Sequence, residues 1–167
     1  MRRFVAYMTL SLTMFAAGCF AKHEKPANEC FGAPDENTCA IENNVFTETN
    51  KYRAKMNVRP LKWSSEIGFA AREWSDFQTS LRTTSHYGFP YLRQSTIHWN
   101  YPRTTFILKG ENVAHIEYCR RAVSSCIIEQ WKDDPGYTQN LLNKKYTHMG
   151  VGVATWNTTY ATAIFGL

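Results

Sequence analysis

Five cysteines carry the most readable chemistry of this 167-residue sequence: Cys19, Cys30, Cys39, Cys119 and Cys126. In an exported chain cysteines oxidise in pairs, so an odd number leaves one for another purpose. With Cys19 set aside, four cysteines remain, and they allow three connectivities. We favour Cys30 with Cys39 and Cys119 with Cys126; buried, reduced thiols are the alternative. The C-x-x-C spacing of a metal or redox site does not occur.

The pairing of Cys119 with Cys126 constrains the local structure, because these residues lie seven positions apart. Seven residues of continuous helix rise about 10.5 Å, whereas the Cα atoms of a disulfide lie within about 7 Å of each other. If this disulfide forms, Cys119 must precede the next helix, which then begins near Val123.

Nucleophilic chemistry has little support in the sequence. A hydrolase site needs a nucleophile, a base and a group that orients the base. Ser85 directly precedes His86, but neighbouring residues rarely present their side chains to each other. Neither G-x-S-x-G nor H-E-x-x-H occurs. These residues do not exclude enzymatic activity, but they favour a protein without it.

The N-terminus predicts export. Two arginines precede a mostly apolar segment over residues 4–17, which is too short to cross a bilayer and typical of a signal peptide. The residues Ala-Ala-Gly-Cys at 16–19 resemble a bacterial lipobox, in which Cys19 would become the lipidated first residue. Leucine is usual where Ala16 stands, so free secretion is the alternative and an uncleaved anchor the third. We predict a leader over 1–21 and an envelope lipoprotein or a secreted protein, with membrane contact only through a lipid anchor.

Composition and charge limit the class of protein. Hydrophobic residues make up 44% and aromatic residues 14% of the chain, as in a folded core and not in a disordered chain. The length suits one domain. The net charge is +5, or +3 once the two arginines of the leader are removed. This charge is too small for a nucleic-acid footprint, so we expect no nucleic-acid partner.

The elements that must position these residues follow from the hydrophobic periodicity. The sequence predicts a polar tether over 22–42, followed by a helix over Asn43–Met56 and a second helix that Ser64 caps and that has an apolar stripe from Ile67 to Leu81. A loop over 83–108 then leads to a strand in "KGENVAHI". The remaining predicted elements are a helix over Val123–Lys132, a short helix capped by Asp134, and a hairpin of "MGVGVATW" with "TYATAIFG". Asp134 is a favourable N-cap, and Pro135 suits the first helical position. Helices that flank a small antiparallel sheet indicate an α+β layered domain.

The predicted loop is rich in aromatic residues. Between His86 and Lys109 it holds Tyr87, Phe89, Tyr91, Trp99, Tyr101 and Phe106. Loops of this length in a compact domain are often functional. The rings could line a cleft for a glycan, a peptide or a lipid, or they could pack the loop onto the sheet. A third class is an interaction protein without a small ligand.

Five motifs in order resemble one known family. They are "N-x-x-R" at Asn50 and Arg53, "RPLKW" at 59–63, "GENVA" at 110–114, "W-x-x-D-P-G-x-x-x-N-L-L" at 131–142, and "MGVGVA" followed by "YATAIFG" at the C-terminus. Together they resemble the CAP superfamily, or SCP domain, which comprises cysteine-rich secretory proteins, antigen 5 and plant pathogenesis-related 1 proteins. The bacterial branch is the most similar. The resemblance covers residues 43–167 and implies a three-layer α-β-α sandwich.

Most members of this family place two histidines and two acidic residues in a central cleft. By resemblance, the first histidine is His86, with His98 as its competitor, the first acid is Glu111 and the second is Asp134. The second histidine position falls on Tyr137, so this chain keeps only part of the set. Asp134 could be a helix cap alone, and Glu111 could be a partly buried carboxylate that accepts a hydrogen bond from Tyr137.

The altered set changes what such a cleft can bind. Zinc takes imidazole and carboxylate ligands, but a phenol with a pKa near 10 is a poor ligand at neutral pH. His86 and Glu111, with Asp134 as a third ligand, remain weak candidates for a divalent metal such as zinc, and we expect no cofactor. We predict an exported binding or envelope-interaction module. The alternative is a weak metal-assisted hydrolase, in which His86 and Glu111 activate water.

Overall fold

The computed structural model describes residues 33–167 and has five helices and four strands in that range. In chain order they are α1 (Glu36–Lys55), β1 (Lys62–Trp63), α2 (Ser65–Leu81), α3 (Tyr91–Asn100), β2 (Leu108–Ile116), α4 (Val123–Asp133), α5 (Pro135–Leu141), β3 (His148–Thr155) and β4 (Thr159–Gly166). The predicted leader, Cys19, Cys30 and most of the predicted tether lie outside the described residues.

The strands form one sheet in the order β1-β3-β4-β2. β4 pairs antiparallel with β3 and with β2, so the predicted C-terminal hairpin is confirmed. The two-residue β1 pairs parallel with β3, and at this one edge the sheet departs from the purely antiparallel prediction.

Helices cover both faces of the sheet. On one face, Val45 of α1 and Trp131 of α4 pack with Val151 and other strand residues in one buried cluster. On the other face, Ile67 of α2 and Ile164 of β4 belong to a second cluster. The three layers are therefore helix, sheet and helix, which confirms the predicted sandwich.

Two glycines of β3 let α2 lie close to the sheet. A Cβ atom on Gly150 would overlap the backbone nitrogen of Gly68, and one on Gly152 would overlap the backbone nitrogen of Arg72. Since Gly68 and Arg72 both belong to α2, the "MGVGVA" motif serves a packing purpose. With glycine at these two positions, the backbone of α2 can lie directly against β3, in space that a side chain would otherwise fill.

The first helix begins earlier than the sequence predicts. α1 starts at Glu36, where Asp35 caps it by accepting a hydrogen bond from the backbone N–H of Thr38 at 2.9 Å. Residues 36–42 are therefore helical, whereas the sequence analysis assigned them to a tether. Glu42 is fully buried in this turn, where it accepts two hydrogen bonds from Arg72, at 2.9 and 2.6 Å. A buried ion pair thus ties α1 to α2.

A second helix was missed inside the predicted loop over 83–108. α3 spans Tyr91–Asn100, and only Arg93 and Ile97 on it are buried. One apolar inward position is too few to reveal an amphipathic helix, because the other inward position carries an arginine.

The "N-x-x-R" motif is a structural clamp. Asn50 donates to the carbonyl of Leu61 at 3.0 Å and accepts from the N–H of Leu61 at 2.8 Å. Arg53 donates to the carbonyls of Arg59 and Leu141, at 2.8 and 2.7 Å. Both residues thereby fix the end of α1 to backbone segments that follow it in the chain.

The predicted disulfide geometry is confirmed at the start of α4. Cys119 and Cys126 are bonded, with their Cα atoms 6.2 Å apart, and the helix begins at Val123. Cys39 is also disulfide-bonded, while Cys30, its predicted partner, lies outside the described residues. Within residues 33–167, no helix combines the length and the apolar character needed to span a membrane.

Candidate functional site

The candidate site lies at the β2 edge of the sheet, where helices of both layers come together. β2 is the last strand in the order and pairs only with β4 among the described strands. Successive side chains of a strand point to opposite faces. Glu111 hydrogen-bonds on the α3 side, to Arg93, whereas Asn112 donates to the carbonyl of Tyr137 in α5 at 3.1 Å.

Arg93 of α3 is the main partner of Glu111, and the sequence analysis missed it. The guanidinium donates twice to the carboxylate, at 2.8 and 3.0 Å, and only 1% of Arg93 is exposed. It also lies 3.2 Å from the ring centroid of Trp74, a cation–π contact. Burial lowers the pKa of Arg93 and Glu111 opposes that shift. An arginine stays charged in either case, so the site holds a buried ion pair.

His86 joins Glu111 to Tyr137. Its Nδ1 lies 2.9 Å from a carboxylate oxygen of Glu111, and its Nε2 lies 3.1 Å from the hydroxyl of Tyr137. An ionised carboxylate only accepts hydrogen bonds, so Nδ1 is the donor. In the neutral imidazole Nε2 then accepts from the Tyr137 hydroxyl. The chain of contacts runs from Arg93 through Glu111 and His86 to Tyr137.

The segment that carries His86 is held by side chains of α2. The indole N–H of Trp74 donates to the carbonyl of Ser85 at 2.8 Å, and the amide oxygen of Gln78 accepts from the N–H of Ser85 at 2.9 Å. Gln78 is itself fully buried against Thr162 of β4. The histidine is therefore placed by the packing of α2 on the sheet.

Tyr137 contacts the site histidine, and Asp134 caps α5 as the sequence predicts. The Tyr137 hydroxyl contacts His86. Glu111, which the sequence offers as one possible acceptor for this hydroxyl, is linked to it through the histidine. Burial, and then the nearby Asp134 carboxylate, raise the pKa of Tyr137 above its usual value, so the phenol is protonated at neutral pH. Asp134 accepts from the N–H groups of Gly136 and Tyr137, at 2.7 and 3.0 Å, and so acts as the N-cap of α5.

Asn140 explains the "N-L-L" motif. Its amide donates to the carbonyl of Glu111 at 3.2 Å and to the side-chain oxygen of Asn112 at 2.9 Å. α5 is thereby fixed to the strand that carries the acid. His98, the competitor of His86, lies exposed on α3.

This set of residues does not fit a zinc ion. Zinc sites use three or four ligands, and the described part of the chain contains no cluster of three or more His, Cys, Asp or Glu side chains that could hold a metal. Both oxygens of Glu111 already face Arg93, and a phenol stands at the second histidine position. The weak candidates His86 and Glu111 would supply only two ligands, and Asp134, the possible third, accepts the N–H groups of Gly136 and Tyr137 as a helix cap.

An open groove lies beside the ion pair, between α2 and α3. We call it the α2–α3 groove; it has a volume of about 530 Å³, in the range of small-ligand sites. Its lining includes Trp74 and Phe77 from α2, Leu92 and Trp99 from α3, and Tyr87 between them. Trp99 is 85% exposed and Tyr87 75% exposed. The predicted aromatic loop thus contributes rings to a groove, although part of it is helical.

Comparison with known proteins agrees with this architecture. Residues 46–165 match the model of the Cysteine-rich secretory protein family, CAP. The chain belongs to the CAP family. The Glu111 site and the α2–α3 groove are therefore features of a CAP domain, and the motif-based identification is confirmed.

Individual relatives are distant. YkwD of Bacillus subtilis (strain 168) is 27% identical over 117 residues, which are 68% of this chain and 42% of YkwD. An outer surface protein from Borrelia burgdorferi is 21% identical with a TM-score of 0.62 over 76% of this chain and 92% of that one. An extracellular SCP-domain protein from Bacillus anthracis is 24% identical with a TM-score of 0.58, over 76% of this chain and 40% of that one. The chain thus spans less than half of YkwD. The solved structures of the Borrelia burgdorferi and Bacillus anthracis proteins share the fold of this chain.

Proposed function

We propose that this CAP domain is an exported binding module whose ligand lies in the α2–α3 groove. The observation that carries the proposal is the exposure of large apolar side chains around one groove. Besides Trp99 and Tyr87, the groove exposes about half of Phe77 and of Leu92. Contiguous apolar surface of this kind on a soluble domain marks interaction sites.

The Glu111 site supports binding better than turnover. A general base must lie within reach of the proton that it removes. Nδ1 of His86 faces Glu111 and Nε2 faces the Tyr137 hydroxyl, so neither ring nitrogen is open to a water molecule. The Arg93 guanidinium neutralises Glu111 from the other side. We therefore assign the chain of contacts to the support of the groove, since Arg93 is both a groove residue and the partner of Glu111.

Hydrolysis is a second candidate, which one observation favours. Glu111, His86 and Tyr137 stand in series as carboxylate, imidazole and hydroxyl, the order of groups in nucleophilic hydrolases. The raised pKa of Tyr137 makes its phenol a weak nucleophile. Turnover in a peptidase and esterase panel that His86→Ala abolishes would establish this candidate over the binding module.

The lining of the groove favours a peptide over an acyl chain. It combines apolar side chains with polar groups, Glu73, Ser95, Thr96 and Asn100, which can bond to peptide amides. Trp99 stands largely in water, so an acyl chain in this open groove would keep much of its apolar surface exposed. A peptide with apolar side chains would bury those side chains against the rings and could bond to the polar groups through its backbone.

Replacement of Trp99 with alanine should weaken ligand binding at least tenfold, because tryptophans that a ligand buries contribute much of the binding energy at interfaces. The probe is a peptide selected on the purified protein from a random displayed library, and the affinity is measured by calorimetry. cis-Parinaric acid tests the acyl-chain alternative in parallel.

The matched control is Trp156→Ala, since Trp156 is equally exposed, at 81%, but lies outside the α2–α3 groove. It should leave the affinity of the peptide unchanged. Equal affinity of wild type and Trp99→Ala, or binding of cis-parinaric acid alone, would refute the peptide groove.

We further propose that the chain is exported and lipidated at Cys19. The apolar leader, the disulfide of Cys119 with Cys126 and the extracellular SCP-domain neighbour from Bacillus anthracis support export. Cys19→Ser should abolish incorporation of radiolabelled palmitate and move the protein from the membrane fraction to the medium. Wild-type protein found in the medium without label would show free secretion, whereas unlabelled protein in the membrane fraction would show an uncleaved anchor.

A further inference from the structure

A second groove lies beside the turn of the β3–β4 hairpin, at one end of the sheet. We call it the hairpin groove; it has a volume of about 510 Å³. Its lining includes Ser80 and Arg82 at the end of α2, Glu117 just after β2, and Trp156, Asn157 and Thr158 in the hairpin turn. None of these residues contributes to the Glu111 site or to the α2–α3 groove.

The turn that carries Trp156 is held in place. The N–H of Trp156 donates to the carbonyl of Thr158 at 3.1 Å. The hydroxyl of Thr158 lies 3.0 Å from Nε2 of His115, and the His115 ring stacks on Tyr160 with centroids 4.3 Å apart. The hairpin is thereby fixed to the end of β2, while 81% of Trp156 is exposed. A preformed turn keeps the entropy cost of binding low.

The chemistry of the hairpin groove differs from that of the α2–α3 groove. Trp156 offers one large exposed ring, and His115 and Tyr160 add a stacked pair of rings. The other groups are hydroxyls, an amide, a carboxylate and a guanidinium. Glu117 and Arg82 supply one charge of each sign, so the lining favours neither anions nor cations. An aromatic face next to several hydrogen-bonding groups suits a ligand with an apolar face and many hydroxyls.

We propose that the hairpin groove binds a neutral oligosaccharide. A pyranose ring presents C–H groups on its faces, which can lie on the Trp156 indole, and hydroxyls at its edges, which can bond to Asn157, Ser80 and Glu117. A long apolar ligand would find little apolar surface there, because Tyr160 is only 3% exposed and Trp156 supplies the one largely exposed ring of the lining. The inference does not rest on the α2–α3 groove or on the Glu111 site.

Titration of the purified protein with chitotetraose, cellotetraose and maltotetraose tests the proposal, with a heparin oligosaccharide as the anionic probe. At least one neutral probe should bind with a Kd below about 1 mM by calorimetry. Trp156→Ala should weaken that binding at least tenfold, and Trp156→Phe should keep more of it, because a ring remains. Trp99→Ala, with its indole in the other groove, should leave it unchanged.

Four outcomes would overturn the proposal: no neutral probe binds at about 10 mM, heparin alone binds, Trp156→Ala binds as well as wild type, or Trp99→Ala loses as much affinity as Trp156→Ala. Folding of each variant is checked by thermal unfolding. Replacement of a side chain as exposed as Trp156 should leave the midpoint of thermal unfolding close to that of wild type. Failure here would leave peptide binding to the α2–α3 groove standing, because the probes and the tryptophans differ.

Discussion

Gly152→Ala should cost more than about 3 kcal/mol of the free energy of unfolding, a large part of the stability of a typical domain. The added Cβ would overlap the backbone nitrogen of Arg72 and the carbonyl carbon of Ala71 in α2. Backbone atoms cannot rotate away as a flexible side chain can, so the helix itself would have to move. Urea unfolding of the purified variant measures the loss.

The control for this prediction is Gly136→Ala. Its Cβ would meet only the side-chain oxygen of Asp134, at 3.2 Å, so its stability should stay within about 1 kcal/mol of wild type. A Gly152→Ala variant as stable as Gly136→Ala would contradict the packing described for α2. The consequence reaches the site, because Trp74 and Gln78 of the same helix hold the segment before His86.

Glu111→Gln should destabilise the protein by about 3–5 kcal/mol, since it leaves the buried Arg93 guanidinium without an opposite charge. The amide retains the shape of the side chain but removes the charge opposite Arg93. That guanidinium is 1% exposed and stacked on Trp74, so water cannot replace the carboxylate without a rearrangement of α3. Urea unfolding at neutral pH measures the loss.

The pair replacement Arg93→Met with Glu111→Leu separates the cost of a stranded charge from the cost of lost packing. Replacement of a whole buried ion pair by apolar side chains is often nearly neutral, so the double variant should be more stable than either single variant. His86 remains half exposed, at 47% of its side chain, and water can solvate it there. A double variant at least as unstable as Glu111→Gln would show that the ion pair contributes through its geometry and not through charge compensation.

The layers and most of the elements were predictable because their inward positions are apolar. α2 and α4 carry stripes of this kind, and Ser64 and Asp134 mark helix starts by their capping chemistry, which the structure confirms. The start of α4 followed from the length limit on a disulfide between Cys119 and Cys126.

The elements that were missed bury charged residues. The first turns of α1 bury Glu42, and α3 buries Arg93, so a search for apolar spacing passes over both. Their partners, Arg72 and Glu111, lie 30 and 18 positions away in sequence. No local pattern identifies such pairs, because the burial of each charge depends on a contact that only the folded chain provides.

The site was predictable to the extent that family motifs contain it. Resemblance pointed to His86, Glu111 and Tyr137, and the structure places these three within hydrogen-bonding distance of one another in series. It could not point to Arg93, which lies in none of the motifs. The proline-glycine turn begins α5, which Asp134 caps, and the phenol at the second histidine position contacts His86, the one histidine of the site.

The shifts of the tryptophan indole N–H signals in a two-dimensional ¹H–¹⁵N spectrum, recorded as the selected peptide is added, test the central claim most directly. The chain has five tryptophans, and two of them, Trp99 and Trp156, stand exposed in different grooves. Binding in the α2–α3 groove should move the Trp99 signal and leave the Trp156 signal in place. A spectrum in which Trp99 stays fixed while the peptide binds would contradict the assignment of the ligand to that groove.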